Sequence, residues 1–200
     1  LIKTDGDGVE QWSQTFGGTD DEKGFSVQQT SDGGYIIAGH ARYSDEYDVY
    51  LIKTDGNGLE QWSQTYGIGN YNDTGYSVQQ TSDGGYIIVG AQEVTWKPLS
   101  NHGHVYLIKT DGNGLEQWSQ VYGVNSGYDY TCGYSVQQTT DGGYIIAGYI
   151  ISSFEDGNRD VFLVKTNFEG NLLSTLTIPT PSTRKLEKVV DALGREVNHT

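Results

Sequence analysis

The sequence holds one cysteine, no methionine and three prolines in 200 residues. Cys132 stands alone, so the chain forms no internal disulfide, and there are no cysteine spacings of the kind that mark zinc sites or redox pairs. Long apolar runs are missing too. The longest, residues 144–151, is interrupted by Gly148 and is far too short for a membrane-spanning helix. Positive charge is scarce: 12 Lys and Arg stand against 26 Asp and Glu, a net charge of −14 with the four His neutral. That deficit argues against nucleic acid and against anionic membrane surfaces, because phosphates need a basic footprint. We therefore expect no nucleic-acid partner and no membrane insertion. The first residues, Leu-Ile-Lys-Thr, are neither an initiator nor a signal peptide with an apolar centre, so the chain reads as a processed or truncated piece.

Glycine (28) and tyrosine (15) are plentiful, and aromatics reach 12%. A disordered acidic tail would lack those rings. The glycines imply turns, and the Tyr, Val, Ile and Thr imply strands.

Self-similarity dominates the rest. The block LIKTDGDGVEQWSQTFG at residues 1–17 returns as LIKTDGNGLEQWSQTYG at 51–67 and as LIKTDGNGLEQWSQVYG at 107–123, with a degenerate fourth copy from Phe162. Between these lies a second block: GFSVQQTSDGGYIIAG at 24–39, GYSVQQTSDGGYIIVG at 75–90 and GYSVQQTTDGGYIIAG at 133–148. The repeat starts at Leu1, Leu51, Leu107 and Leu163, so the periods are 50, 56 and 56 residues.

Each period reads as four short strands. Ser-Val-Gln-Gln and Tyr-Ile-Ile-Ala-Gly are joined by Ser-Asp-Gly-Gly; Val-Tyr-Leu-Ile-Lys-Thr and Leu-Glu-Gln-Trp-Ser-Gln are joined by Asp-Gly-Asn-Gly. Asn-Gly and Gly-Gly supply the positive φ angles of tight hairpins. No window before residue 179 keeps a helical period. The expected class is all-β: an arc of a β-propeller with about three and a half four-stranded antiparallel blades, an incomplete ring. A two-layer sandwich is the alternative, but near-identical tandem units favour radial stacking. The expected units are a half-blade at 1–17 and blades at 25–67, 76–123 and 134–178. From Pro179 two prolines appear and the charge balance turns to four basic against three acidic residues, which marks a linker and a separate tail at 179–200.

In an up-down-up-down blade the one-to-two and three-to-four turns share one face, and these barely vary between copies. The other two connections vary in length and content: 18–23, 68–74 and 124–132 for one, 40–48, 91–104 and 149–160 for the other. Variable function is expected on that face. Exposed aromatics there, Tyr43, Trp96, Tyr128 and Tyr130, suit stacking on sugar rings. Its acidic groups are Asp20, Asp21 and Glu22; Asp45, Glu46 and Asp48; and Glu155, Asp156 and Asp160. They read as solvated loop charge, with calcium bound by loop oxygens as the alternative. His40, His102 and His104 could converge on a transition metal if neighbouring blades bring them together. No Ser/His/Asp or Cys/His set can be assembled, so no catalytic residue is assigned.

The segment TSDGGYII at 30–37, repeated at 81–88 and 139–146, fits the Asp-box turn of sialidase-type propellers. Its carboxylate is expected to accept backbone N–H groups within the turn. The Gly-x-x-x-Trp spacing of Gly8 and Trp12, Gly58 and Trp62, Gly114 and Trp118 resembles the tryptophan-docking repeats of quinoprotein propellers, without any cofactor site. It implies a Trp packed between blades.

The body as a whole resembles the secreted β-propeller repeats of bacteria and archaea whose units read SVQQTSDGGYIIAGY, DVYLIKTD and a later Gly and Trp. The tail, LEKVVDALGREV at 186–197, resembles the opening of the C-terminal sorting domain of type IX secretion substrates. These resemblances imply an exported, extracellular or cell-surface protein. The near-identical copies and the exposed aromatics of the variable face point to a non-enzymatic binding or adhesion module, without a resident cofactor, whose partner is a carbohydrate or a protein, reached through Tyr43, Asp45, Trp96, Tyr128, Tyr130 and Asp156. The alternative is a glycosidase- or lyase-type enzyme with Asp45 and Asp156 as its carboxylate pair. An arc with open apolar ends is also expected to self-associate.

Overall fold

The computed structural model describes residues 1–43, 45–69, 71–94, 102–123, 130–151 and 158–178. Among them every regular element is a strand, and there is no helix. A two-stranded pair comes first, β1 (Ile2–Thr4) with β2 (Glu10–Ser13). Sheet I contains β3 (Glu22–Gln29), β4 (Tyr35–Tyr43), β5 (Glu46–Thr54) and β6 (Glu60–Tyr66). Sheet II contains β7 (Asn72–Gln80), β8 (Tyr86–Val94), β9 (His102–Thr110) and β10 (Glu116–Tyr122). Sheet III contains β11 (Tyr130–Gln138), β12 (Tyr144–Ile151), β13 (Asp160–Thr166) and β14 (Leu172–Ile178). Each sheet is an antiparallel meander in chain order. The expected tail lies outside the described residues.

The turns follow from their side chains. In sheet I, Asp32 Oδ1 accepts the Gly34 N–H at 3.0 Å and the Thr30 hydroxyl at 2.5 Å, while Gly33 turns the chain at φ +84°. The three-to-four turn uses Asp55 in the same way, accepting the N–H groups of Asn57 at 2.8 Å and Leu59 at 2.9 Å. The strands themselves run further than the glycine punctuation suggests. Residues 40–43 and 46–48, expected as part of a loop, form a ladder in which Arg42 pairs with Tyr47 and Tyr43 with Glu46. Gly39 does not end β4 because a Cβ there would stand 1.7 Å from the Lys23 carbonyl: this glycine allows close strand approach and does not mark a turn.

Between sheets the packing is apolar. Ile36, Ala38, Val49 and Leu51 of sheet I bury against Val78, Tyr86, Ile88, Tyr106 and Ile108 of sheet II. Ile87, Val89, Val105 and Leu107 of sheet II pack in turn on Val136, Tyr144, Ile146, Phe162 and Val164 of sheet III. Each fully buried side chain of this size contributes about 1.5–3 kcal/mol.

Polar contacts set the spacing of the sheets. Ser26 Oγ and Gln28 Oε1 of β3 accept the N–H groups of Val78 and Gln80 on β7, at 3.2 and 2.6 Å. Ser77 and Gln79 of β7 repeat this toward Val136 and Gln138 on β11. The Ser-Val-Gln-Gln motif is thus a stitch between neighbouring first strands. At the fourth strands, Trp62 packs against Tyr86 with ring centroids 5.9 Å apart and planes tilted by 58°, and Tyr66 donates its hydroxyl to the Gly114 carbonyl at 2.6 Å. Trp12 and Trp118 pack edge-on to Tyr35 and Tyr144 at the equivalent places, with centroids 5.7 and 5.8 Å apart. The tryptophans therefore pack between sheets, as their spacing implied.

Candidate functional site

Each first strand carries a β-bulge at the same place. The register slips between Gly24 and Ser26, between Gly75 and Ser77, and between Gly133 and Ser135, which leaves Phe25, Tyr76 and Tyr134 without a cross-strand partner. A bulge frees a residue from the ladder and re-aims its side chain. Because the first strands lie side by side, the three freed rings meet. Phe25 and Tyr76 have centroids 5.3 Å apart, and Tyr76 and Tyr134 5.0 Å apart.

The row continues at both ends. Tyr149 on β12 sits 5.7 Å from Tyr134 and stacks on Tyr130 at 5.8 Å with ring planes 13° apart. The Arg159 guanidinium lies 4.5 Å above the Tyr149 ring. At the other end His40 lies 5.4 Å from Phe25 and 4.5 Å from Tyr47. The row falls in the half of the first strands nearer the variable segments. Phe25 and Tyr134 remain 47% and 49% exposed, so two rings of the row present apolar surface to solvent.

The site is uncharged at its centre. Burial raises the Tyr76 hydroxyl to about 12 and the Cys132 thiol to about 12, and it also raises Tyr134, Tyr149 and Tyr130. Tyr130 is raised further by Glu93, whose Oε1 accepts its hydroxyl at 2.6 Å. His40 is pushed down, first by burial and then by the positive charge of Lys23; its Nδ1 lies 3.2 Å from Thr74 Oγ1. Near neutral pH the phenols are therefore hydrogen-bond donors, and the imidazole is neutral. A thiol held in this state is a poor nucleophile. The arrangement offers flat apolar faces with polar groups at their edges.

Of the sequence-derived ligand residues whose side chains are described, Tyr130 and Asp45, one joins this row. Tyr130 belongs to it, but as a half-buried ring and not an exposed platform: its place at the start of β11 sets it between Glu93 of sheet II and Tyr149 of sheet III. Asp45 lies in the β4–β5 hairpin with its side chain fully exposed, 3.7 Å from Arg42. Trp96, Tyr128 and Asp156 lie outside the described residues, as do Glu155 and the side chains of Tyr43 and His102. Among the other acidic groups, Asp20 and Asp21 are exposed, whereas Glu22 accepts the Gly18 N–H at 3.1 Å and so organises its own loop. Among the described residues no three His, Cys, Asp or Glu side chains are placed to hold a metal ion. Sequence reasoning missed Phe25, Tyr76, Tyr134 and Tyr149. The available signal was an aromatic residue following glycine at the same point of every copy, a position that alternation alone assigns to an ordinary strand.

No family model matches the chain, and no curated protein matches it. Among solved structures it is similar to a protein of unknown function from Bacteroides caccae, known from a crystal structure, with 13% identity and a TM-score of 0.35. The match covers 86% of this chain and 72% of that one, and at this TM-score it carries no argument about function.

Proposed function

We propose that the three stacked sheets are blades of a β-propeller and that the chain is a non-enzymatic binding module for carbohydrate, whose ligand lies along the aromatic row. One observation supports this above others: three successive sheets each use a bulge to deliver a ring to the same line, and Phe25 and Tyr134 keep about half of their surface in solvent. Sugar rings bind where their apolar faces find flat aromatic surface and their hydroxyls find donors and acceptors at its edge. Tyr76, Tyr134 and Glu93 supply such groups. The variable face proposed as the binding face is the one this row approaches. An extracellular or cell-surface setting completes the reading and rests on the repeat and tail resemblances.

The test is a glycan array followed by titration calorimetry with the best binder. F25A and Y134A should each weaken binding about tenfold, the scale of one lost ring–ligand contact, and leave the circular dichroism unchanged. Unchanged affinity in both variants would refute the proposed site. Release of reducing ends from the bound glycan would refute the non-enzymatic part and favour the glycosidase alternative.

A further inference from the structure

A second feature is independent of the aromatic ligand. A cleft of about 420 Å³ lies between the β1–β2 pair and sheet I, and its lining includes Phe16, Val27, Ile37, Tyr50 and Ile52. The same place is filled at the next two junctions. A Cβ added to Gly75 would meet Val49 of sheet I at 3.0 Å, and one added to Gly133 would meet Val89 and Val105 of sheet II at 2.6 and 3.2 Å. Gly24, at the corresponding point of β3, meets only Ile37 of its own sheet within 4 Å. Val27 is accordingly 53% exposed, whereas its counterparts Val78 and Val136 are 6% exposed.

Polar groups tell the same story. Val78 and Gln80 give their N–H groups to Ser26 and Gln28 of the preceding first strand, and Val136 and Gln138 give theirs to Ser77 and Gln79. Among the described residues, Val27 and Gln29 have no such acceptor. Among the described residues β1 is also incomplete as a ladder: it has β2 on one edge and no strand on the other, whereas β5, β9 and β13 are paired on both.

We propose that this cleft docks a β-hairpin carrying the repeat's own first-strand and second-strand sequence. The second strand of that hairpin pairs with the free edge of β1. Its apolar side chains cover Val27 and Ile37, and its Ser and Gln side chains accept the N–H groups of Val27 and Gln29. At the two filled junctions Val49 and Val105 come from third strands, but the first strands supply the Ser and Gln acceptors and the second strands supply Ile36 and Ala38, or Ile87 and Val89, and these define the occupant's chemistry.

The probe is a labelled peptide of residues 75–90, GYSVQQTSDGGYIIVG, added to the intact chain and followed by fluorescence anisotropy and amide exchange. The expected result is saturable one-to-one binding with new protection of the Val27 and Gln29 amides. Peptide S77A/Q79A should bind about tenfold more weakly, since it loses two hydrogen-bond acceptors. V27D in the chain should abolish binding with the circular dichroism unchanged, because Val27 is exposed in the unbound chain. A version of the peptide closed by a terminal disulfide removes its folding cost, so failure of that version to bind would overturn the proposal. Equal binding of a scrambled peptide would overturn it as well. So would a concentration-dependent dimer of the chain alone that V27D dissociates, which would give the cleft to a second copy.

Discussion

Lys53, Lys109 and Lys165 occupy one position in three sheets, and each holds the aspartate of a one-to-two turn. Lys53 Nζ and Lys109 Nζ are 2.8 and 2.9 Å from the carboxylates of Asp32 and Asp83, with the lysine side chains only 4% exposed. Lys109 also donates to the Thr110 carbonyl at 2.8 Å, so its charge is compensated from two sides. We expect D83N to cost about 1–2 kcal/mol in urea unfolding, at the low end for a buried pair because Asp83 itself is half in solvent. Burial pushes the Asp83 carboxyl up, but hydrogen bonds from Thr81, Lys109 and the Gly85 N–H outweigh it and bring it to about 2. Its contribution is therefore present above the ordinary value of 3.8 and is lost as pH falls toward 2. Asp73 behaves oppositely. It is fully buried, and its Oδ2 accepts the Ile68 N–H at 2.8 Å. Burial raises it to about 7. A raised acid favours the folded state while protonated, so stability should fall as pH rises from about 4 through about 7. D73N should flatten that slope and leave the variant the more stable form at about pH 8, measured as unfolding midpoints across the pH series.

At the scale of the element, the two kinds of turn glycine separate cleanly. Gly84 and Gly114 have nearly equal φ, +83° and +80°, but nothing lies within 4 Å of a Cβ at Gly84, whereas one at Gly114 would stand 2.7 Å from Trp62 Cζ3. G84A should cost about 1–2 kcal/mol, the strain of the left-handed region alone. G114A should cost about 1–3 kcal/mol more, because it also displaces Trp62. W62A should cost about 3 kcal/mol. Equal losses for G84A and G114A in the same urea titration would show that the tryptophan does not depend on that glycine. The first strands respond to a different change. In S26A/Q28A the Val78 and Gln80 amides should exchange faster by about tenfold, the scale of one lost hydrogen bond each. The Val136 and Gln138 amides should keep their protection, since their acceptors lie on β7.

On the scale of the whole molecule, stability is a chain of sheet–sheet contacts in which each sheet meets its neighbours through one face apiece. The two buried clusters are alike because the sheets are alike. The net charge of −14 opposes this compaction by self-repulsion. Raising salt from about 0.02 to about 0.5 M shortens the screening length several-fold and should raise the thermal midpoint. A midpoint independent of salt would mean that the acidic groups are already compensated locally, as Glu22 is by the Gly18 N–H.

The four-stranded units, the turn aspartates and the inter-sheet tryptophans were legible in the sequence because each is a local pattern repeated several times: alternation of period two, an Asp-Gly pair, a Trp four residues after a glycine. The stitching role of Ser26 and Gln28 was not legible, because its acceptors and donors lie 52 residues apart and meet only when first strands align. The aromatic row was hidden for a related reason. One inserted residue per strand re-aims Phe25, Tyr76 and Tyr134, and a bulge leaves the sequence pattern looking like ordinary alternation. Exposure was decided by tertiary structure as well: Val27, Val78 and Val136 are the same residue in the same motif, yet only Val27 faces an open cleft. A repeated sequence determines what each unit is. Burial and hydrogen bonding depend on the neighbour, and so only the stacking of the sheets decides what each copy does.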